Sequence, residues 1–586
     1  AMLPGERPVA TTLFLAGGEW VAGGRNTEAL AAFRSGAQLA RERRIGINVD
    51  NVIPYLDALD SLARANPAQA EALRAEAFAA AQLAQRSETA RFLAQASARL
   101  ASAGGNERVA AAIRRREDAD IQLRGLLADR DVLSAAGRPT ADLDARITEQ
   151  RAAREEAEAE ALAAAPGFRQ LRDDTIATEQ AQAVLAPGEA MVQFVMGSTH
   201  SYVLGLRAGQ PAALARLDIT SAQASRLISA ARAAVDGDGP QAGRLPAFDV
   251  AAAAELYDRL LRPVEAFIQG ASTLVVVPDG PLLALPFGML LTGPADAGAL
   301  SEAPWLIRRH AVVHAPSVQA LVRVREGSRA STAPRPYIGF GDFVPPTGAQ
   351  LAASFPADRC GQDAAVAARL GRLPGTAREV SVAAGLMGGG ARPLLRQAFT
   401  AQTVTAAELQ NYRIVHFATH GLLPGDLSCL VEPAVMVSGN PAAPDAEASF
   451  LSASAVMRLR MDADLVILSA CNTAGAGTAQ GTERAAEALS GLARAFFVAG
   501  ARGLLATHWL ASDAAAQFLV PVMLSLQAQG APSATALQQA QLALLNDQPG
   551  RPSTAHPFYW APFALIGDGR RDEAVTTTAQ AGQRAG

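Results

Sequence analysis

Two short apolar runs in this chain each end on a side chain able to do acid–base or nucleophilic chemistry. The first is Ile414-Val415-His416-Phe417-Ala418-Thr419-His420-Gly421, closing on an imidazole followed by glycine. The second is Leu465-Val466-Ile467-Leu468-Ser469-Ala470-Cys471-Asn472-Thr473, closing on a thiol. A cysteine nucleophile needs a base whose pKa lies near ambient, and histidine meets that need without help. Both runs read as buried strands, apolar and partly β-branched. Ligands of open α/β sheets gather at strand carboxyl ends, so if the two strands are neighbours, His420 and Cys471 emerge side by side as base and nucleophile.

Each of these residues also has an ordinary structural reading. Free cysteine is among the most buried residue types. Cys471, however, follows its apolar run and precedes Asn472-Thr473-Ala474-Gly475-Ala476-Gly477, a loop of small residues. Cys360 and Cys429 lack such a frame and read as structural or incidental. His416 lies four residues before His420, yet no third ligand falls at metal spacing, so it reads as a buried, hydrogen-bonded histidine. Gly421 lets the backbone turn sharply or present its N–H to a ligand. Met387-Gly388-Gly389-Gly390 has neither phosphate-loop ending nor dinucleotide spacing, and no Gly-x-Ser-x-Gly or His-Glu-x-x-His occurs. No metal or cofactor is expected.

These residues must be carried by a chain of 586 residues, long enough for two or three domains. A net charge of −4 gives no reason to expect nucleic-acid binding, and every basic residue is arginine. Three cysteines without a CxxC pair argue against a disulfide framework and for a reducing compartment. No apolar run approaches the roughly 18 residues of a membrane span, and the start lacks a leader pattern. Ala1 before Met2 reads as a tag remnant, which leaves a trimmed leader open; the cytoplasm is the default compartment.

Helical spacing runs from about Asn26 to Gly167, over residues 28–44, 52–65 and 68–101, then a hairpin of 107–133 and 140–165. This is a helical-repeat-like arm without two good copies of the tetratricopeptide pattern. Strands are expected at 190–196, 201–206 and 212–218, with antiparallel pairing. More follow at 273–277, 311–314, 337–341, 413–419, 434–437, 464–469, 503–507 and 564–567. Helices fit 221–235, 250–268, 317–325, 377–386, 483–499, 511–527 and 531–546. Such alternation predicts a mainly parallel α/β sheet with helices on both faces.

The two site runs resemble those of the CHAT domain, a caspase-like peptidase domain associated with helical repeats. Other blocks match in order: Val277-Pro278-Asp279-Gly280 with Leu285-Pro286-Phe287, Ala315-Pro316-Ser317, and Leu373-Pro374-Gly375-Thr376 with Glu379. Gly491-Leu492-Ala493-Arg494-Ala495-Phe496, His508-Trp509 with Asp513, and Tyr559-Trp560-Ala561-Pro562-Phe563 complete the set, over roughly residues 250–568. The helices ahead look like the arm found in bacterial members. The resemblance implies an α/β caspase-like domain behind an all-α arm, a relative of caspases, separase and gingipains. The expected division is a helical arm at 1–170, TPR-like or of degenerate repeats ending in a long hairpin, an N-terminal pseudo-caspase-like half at 171–385 and a catalytic half at 386–570; the tail at 571–586, with Thr576-Thr577-Thr578 and Gly582, reads as disordered from its composition.

The resemblance further implies a His-Cys dyad, with His420 as general base and acid, Cys471 as nucleophile, and the backbone N–H groups of Gly421 and Cys471 as oxyanion hole. The strand after the cysteine helix lines the primary specificity pocket in that fold, which makes His508, Trp509, Asp513 and Glu483 the substrate-binding candidates. Asp513 or Glu483 would favour a basic P1 side chain; against this, Asp is a preferred N-cap and Glu483 suits a solvated first turn. The leading expectation is a cysteine endopeptidase whose arm recruits a protein substrate or regulator. The alternatives are a catalytically silent caspase-fold scaffold and a thiol hydrolase of small molecules.

Overall fold

The structure, a computed structural model, describes residues 6–42, 46–84, 139–164, 175–235, 245–327, 330–354, 363–368, 370–422, 433–439, 449–457, 459–469, 499–509, 511–546 and 553–570, with scattered residues between. The N-terminal region is helical, with helices Glu6–Ala22, Asn26–Glu42, Val49–Ala65 and Ala70–Ala84. The first lies ahead of the stretch expected to be helical. Gly17 and Gly18 weaken its helical signal, because glycine is a poor helix former. Gly17 is needed for packing: a methyl there would sit 2.6 Å from the Phe33 ring. Phe14, Phe33 and Tyr55 close together with ring centroids 4.8 to 6.1 Å apart, and the same core reaches Met191, Val195 and Val275 of the sheet. Helix Ala141–Ala164 forms as expected, with Leu126 packed on Leu143 and Ile147. Residues 85–100 and most of 107–133 lie outside the described residues.

The strands are β1 Glu189–Met196, β2 Ser201–Leu206, β3 Ala213–Leu217, β4 Thr273–Val277, β5 Ala311–His314, β6 Arg335–Gly341 and β7 Arg392–Leu395. They continue as β8 Tyr412–Ala418, β9 Gly421–Leu422, β10 Ala434–Met436, β11 Phe450–Ser452, β12 Ala463–Leu468, β13 Ala501–Thr507 and β14 Phe563–Gly567. Eleven form one sheet in the order β3-β2-β1-β4-β5-β14-β13-β12-β8-β6-β7. Its pairs are parallel except β1–β2, β2–β3 and β13–β14. Side chains alternate between two cores: Leu465, Ile467 and Leu505 face Trp305 and Trp560, while Val466 and Leu504 face Phe340, Phe417 and Phe496.

Four expectations need correction. β10 joins β9 and β11 in a separate three-stranded sheet rather than the main one. β7, β9 and β11 were not foreseen; each is short, and Pro393 in β7 is tolerated because β7 is an edge. The helix expected at 250–268 breaks at Arg262-Pro263-Val264, where the proline cannot donate into a helix. Cys360, 4% exposed, is disulfide-bonded, contrary to the expectation of unbridged thiols.

Two histidines are sealed in the interior, His314 at the end of β5 and His508 just past β13. His314 and His508 are 6% and 0% exposed, their rings meet edge to face at 5.8 Å, and no ring nitrogen makes a well-formed hydrogen bond. Burial pushes His314 down to about 4, the nearby Leu285 and Leu565 backbone opposing only part of that shift; burial, with the charges of His314 and Arg232, also lowers His508. Both stay neutral when folded but protonate when unfolded, so stability is complete above about pH 6.5 and falls as pH drops towards the folded value. Urea unfolding should show His314 contributing about 2 kcal/mol of lost stability between pH 7.5 and pH 5. That share should be absent in His314→Leu; an unchanged pH slope in the variant would contradict the assignment.

Candidate active site at the carboxyl ends of the parallel strands

β8 and β12 are adjacent and parallel, in a register that runs from Leu465 opposite Ile414 to Leu468 opposite Phe417. His420 therefore lies just past the end of β8, and Ser469 just past the end of β12. Cys471 and Glu483 lie outside the described residues. After β6 the chain moves outward to β7, whereas after β8 it moves the other way to β12. The crevice between the β6 and β8 carboxyl ends is thus a switch point, the place where an open α/β sheet takes its ligand. His420 sits there, its ring edge-on to Phe343 at 5.4 Å.

The tautomer of His420 follows from its partner. Nε2 is 2.9 Å from the carbonyl oxygen of Gly371, which can only accept, so Nε2 carries the proton and Nδ1 keeps its lone pair. Burial lowers the imidazole pKa and the Gly371 carbonyl partly offsets this. Such a ring is neutral at neutral pH and available as a base.

Gly421 opens β9, an edge strand of the small sheet. It lies opposite Val435, and the neighbouring bond runs from Met436 N–H to the His420 carbonyl at 2.8 Å. In an antiparallel ladder that pattern turns the Gly421 N–H away from β10 and towards the open edge.

His416 is fully buried on β8. Its Nδ1 lies 2.8 Å from the Tyr337 hydroxyl, and its Nε2 lies 2.9 Å from Ser469 Oγ and 3.1 Å from Glu379 Oε1. Tyr337 fits beneath helix Gly375–Met387 because Gly339 leaves room: a Cβ there would meet the Tyr337 ring and lie 2.7 Å from Val380. The cluster ties β6, β8 and that helix to the residue that follows β12. Neither Tyr337 nor Glu379 was singled out for chemistry. The available signal was a glutamate among Thr376, Val380 and Ala383, on a helix face that is otherwise small or apolar.

The specificity candidates separate. His508 and Trp509 are 0% and 2% exposed and belong to the core, so neither offers surface to a substrate. Arg232 explains much of this: it donates to the His508 carbonyl at 2.9 Å and lies 5.5 Å from the Trp509 ring centre. Asp513 is exposed and is the first residue of helix Asp513–Ala528; the N-cap is Ser512, with no capping side-chain bond. Among the described residues, no group of three or more His, Cys, Asp or Glu side chains could hold a metal ion.

The sequence matches the CHAT domain over residues 250–568, more than half of its length. The chain belongs to the CHAT domain family. The curated proteins it resembles include human tetratricopeptide repeat protein 28, 25% identical over 349 residues, which cover 53% of this chain and 13% of the human protein. The mouse protein of the same name is 27% identical over 350 residues, again 53% of this chain and 13% of the relative. The chain thus spans only a small part of the curated relatives it matches. Two solved structures of the Saccharomyces cerevisiae separase–securin complex align with the CHAT chain at TM-scores of 0.36 and 0.37. Their identities are 8% and 9%, and the alignments cover 72% and 93% of this chain and 34% and 37% of the yeast chains. At those scores the likeness decides nothing about the site.

Proposed function

We propose that this CHAT protein is a cysteine endopeptidase with a His420–Cys471 dyad. The observation that carries the reading is His420 at the end of β8, at the switch point, beside the parallel strand β12 that leads in sequence to Cys471. In the reaction, His420 Nδ1 takes the thiol proton as the Cys471 sulfur attacks the peptide carbonyl. The C–N bond then breaks, and the same proton goes to the leaving amine. Water attacks the thioester, His420 again acting as base, and the acid product leaves. The N–H groups of Gly421 and Cys471 would stabilise the oxyanion by roughly a few kcal/mol. The helical region would recruit a protein substrate or regulator; this rests on the resemblance and on the tetratricopeptide names of the relatives.

The test is cleavage of a peptide library by wild type and Cys471→Ala, under reductant because Cys360 is disulfide-bonded. Cleavage by wild type alone supports the reading, and the same inert profile from both would favour the scaffold alternative. Because burial lowers the His420 pKa, kcat/KM should hold as pH falls through the ordinary histidine range near 6.5 and decline only below it. An acid limb centred above 6.5 would remove His420 as the base. Among the described residues no helix is long and apolar enough to cross a membrane.

A further inference from the structure

The tautomer of His420 depends on a backbone group, the Gly371 carbonyl that accepts from Nε2 at 2.9 Å. A carbonyl in a connecting segment stays on its partner only if that segment is tied down. The next residue supplies the tie. Arg372 reaches Asp342 with Nη2 2.8 Å from both carboxylate oxygens and Nε 3.2 Å from Oδ1. Asp342 follows β6 directly, at the switch point beside His420, and its side chain is buried.

Two further bonds fix the same segment. The Asp342 N–H donates to Thr376 Oγ1 at 2.7 Å, and the Thr376 hydroxyl donates to the Leu373 carbonyl at 2.6 Å. Gly341 permits this approach: a Cβ there would lie 3.1 Å from the Thr376 carbonyl oxygen. The residue after Asp342 is Phe343, fully buried, whose ring meets His420 edge-on at 5.4 Å. One corner, Asp342–Phe343, therefore governs both the ring that the imidazole packs on and the carbonyl it donates to.

Stability is a poor account of this corner. Asp342 has φ of +45°, a region that non-glycine residues seldom adopt and that costs backbone energy. Its partner Arg372 is 40% exposed, and ion pairs open to solvent add little stability. What a forked guanidinium–carboxylate contact does supply is fixed geometry. Here that geometry is delivered next to the carbonyl that holds the base.

We propose that Asp342 and Arg372 are positioning residues for His420: their ion pair holds the Gly371 carbonyl against Nε2, which keeps the proton on that nitrogen and leaves Nδ1 free to accept. The inference rests on the peptidase reading for its effect on rate, whereas the tautomer is tested without any cleavage.

NMR of the full chain carrying Cys471→Ala, isotope-labelled at the histidine nitrogens, gives the first arm. The His420 signals are assigned by their loss in His420→Ala. They should report one tautomer, protonated at Nε2, and adding Arg372→Ala or Asp342→Asn should bring in the second. Asparagine tolerates the left-handed backbone at 342, so Asp342→Asn removes the charge and keeps the turn, while Arg372→Ala truncates a partly exposed side chain. A single tautomer that persists in both variants, or a parent already mixed, overturns the proposal. The second arm is kinetic. Each variant should lower kcat about tenfold to a hundredfold with KM changed by less than about threefold, because the base is misaligned while substrate binding is untouched. The double variant should be no slower than the slower single one, since both changes break the same pair. Unchanged kcat in both variants, or losses that multiply in the double variant, overturn it. If wild type cuts no peptide, the peptidase reading fails and the tautomer arm decides the positioning role.

Discussion

Cleavage should fall by at least about a thousandfold in both Cys471→Ala and His420→Ala, and the double variant should be hardly worse than either. A thiol and its base act as one unit: without the thiolate no covalent intermediate forms, and without the imidazole the proton has no path to the leaving amine. The fold should survive His420→Ala. The ring is only partly buried and, among the described residues, makes one hydrogen bond to Gly371 and one edge contact with Phe343, a loss of about 1 kcal/mol. Residual activity within tenfold of wild type in either variant would remove the dyad. His416→Ala is a different experiment, because it opens a buried cluster joining Tyr337, Glu379 and Ser469, and lost stability would accompany any lost rate.

The largest stability effect should come from Glu189→Ala. Arg325 is 6% exposed and pairs with both Glu189 oxygens, at 2.6 and 2.8 Å, with the Asp568 carboxylate at 3.4 Å. These residues belong to β1, to helix Val318–Gly327 and to the segment after β14, so the cluster joins three distant parts of the chain. Removing Glu189 leaves a buried guanidinium short of its main partner, at a cost of about 3 to 5 kcal/mol. Glu189→Leu combined with Arg325→Met removes both charges and should recover most of that loss in urea unfolding. A double variant as unstable as Glu189→Ala would mean that packing, and not unpaired charge, governs the site.

Much of this architecture was legible in the sequence because its strands are apolar along their whole length. β4 and β5 fall on the expected residues, and β8 and β12 within one, since few other structures bury such runs on both faces. The adjacency of β8 and β12 was inferred from a functional resemblance, and the register bears out the pairing of those strands. Helix Glu6–Ala22 is hidden by its glycines, poor helix formers whose cost is offset by tertiary packing, Gly17 against Phe33 and Gly18 against Pro54. β9 is two residues long and exists through its pairing with β10, which no local pattern announces. The resemblance makes His508 and Trp509 pocket candidates, as the end of the strand that lines the pocket in that fold; only the tertiary packing of Arg232 shows that they turn inward. Glu379 escaped because its helix supplies the carboxylate while His416 comes from elsewhere in the chain.

Covalent labelling reads out whether His420 activates Cys471. A peptidyl acyloxymethyl ketone is incubated with the full chain under reductant, and the adduct is located and timed by mass spectrometry. One adduct is expected, on Cys471, formed at least about a hundredfold more slowly in His420→Ala. Equal labelling of Cys360, Cys429 and Cys471, or a Cys471 rate that ignores His420→Ala, would contradict it.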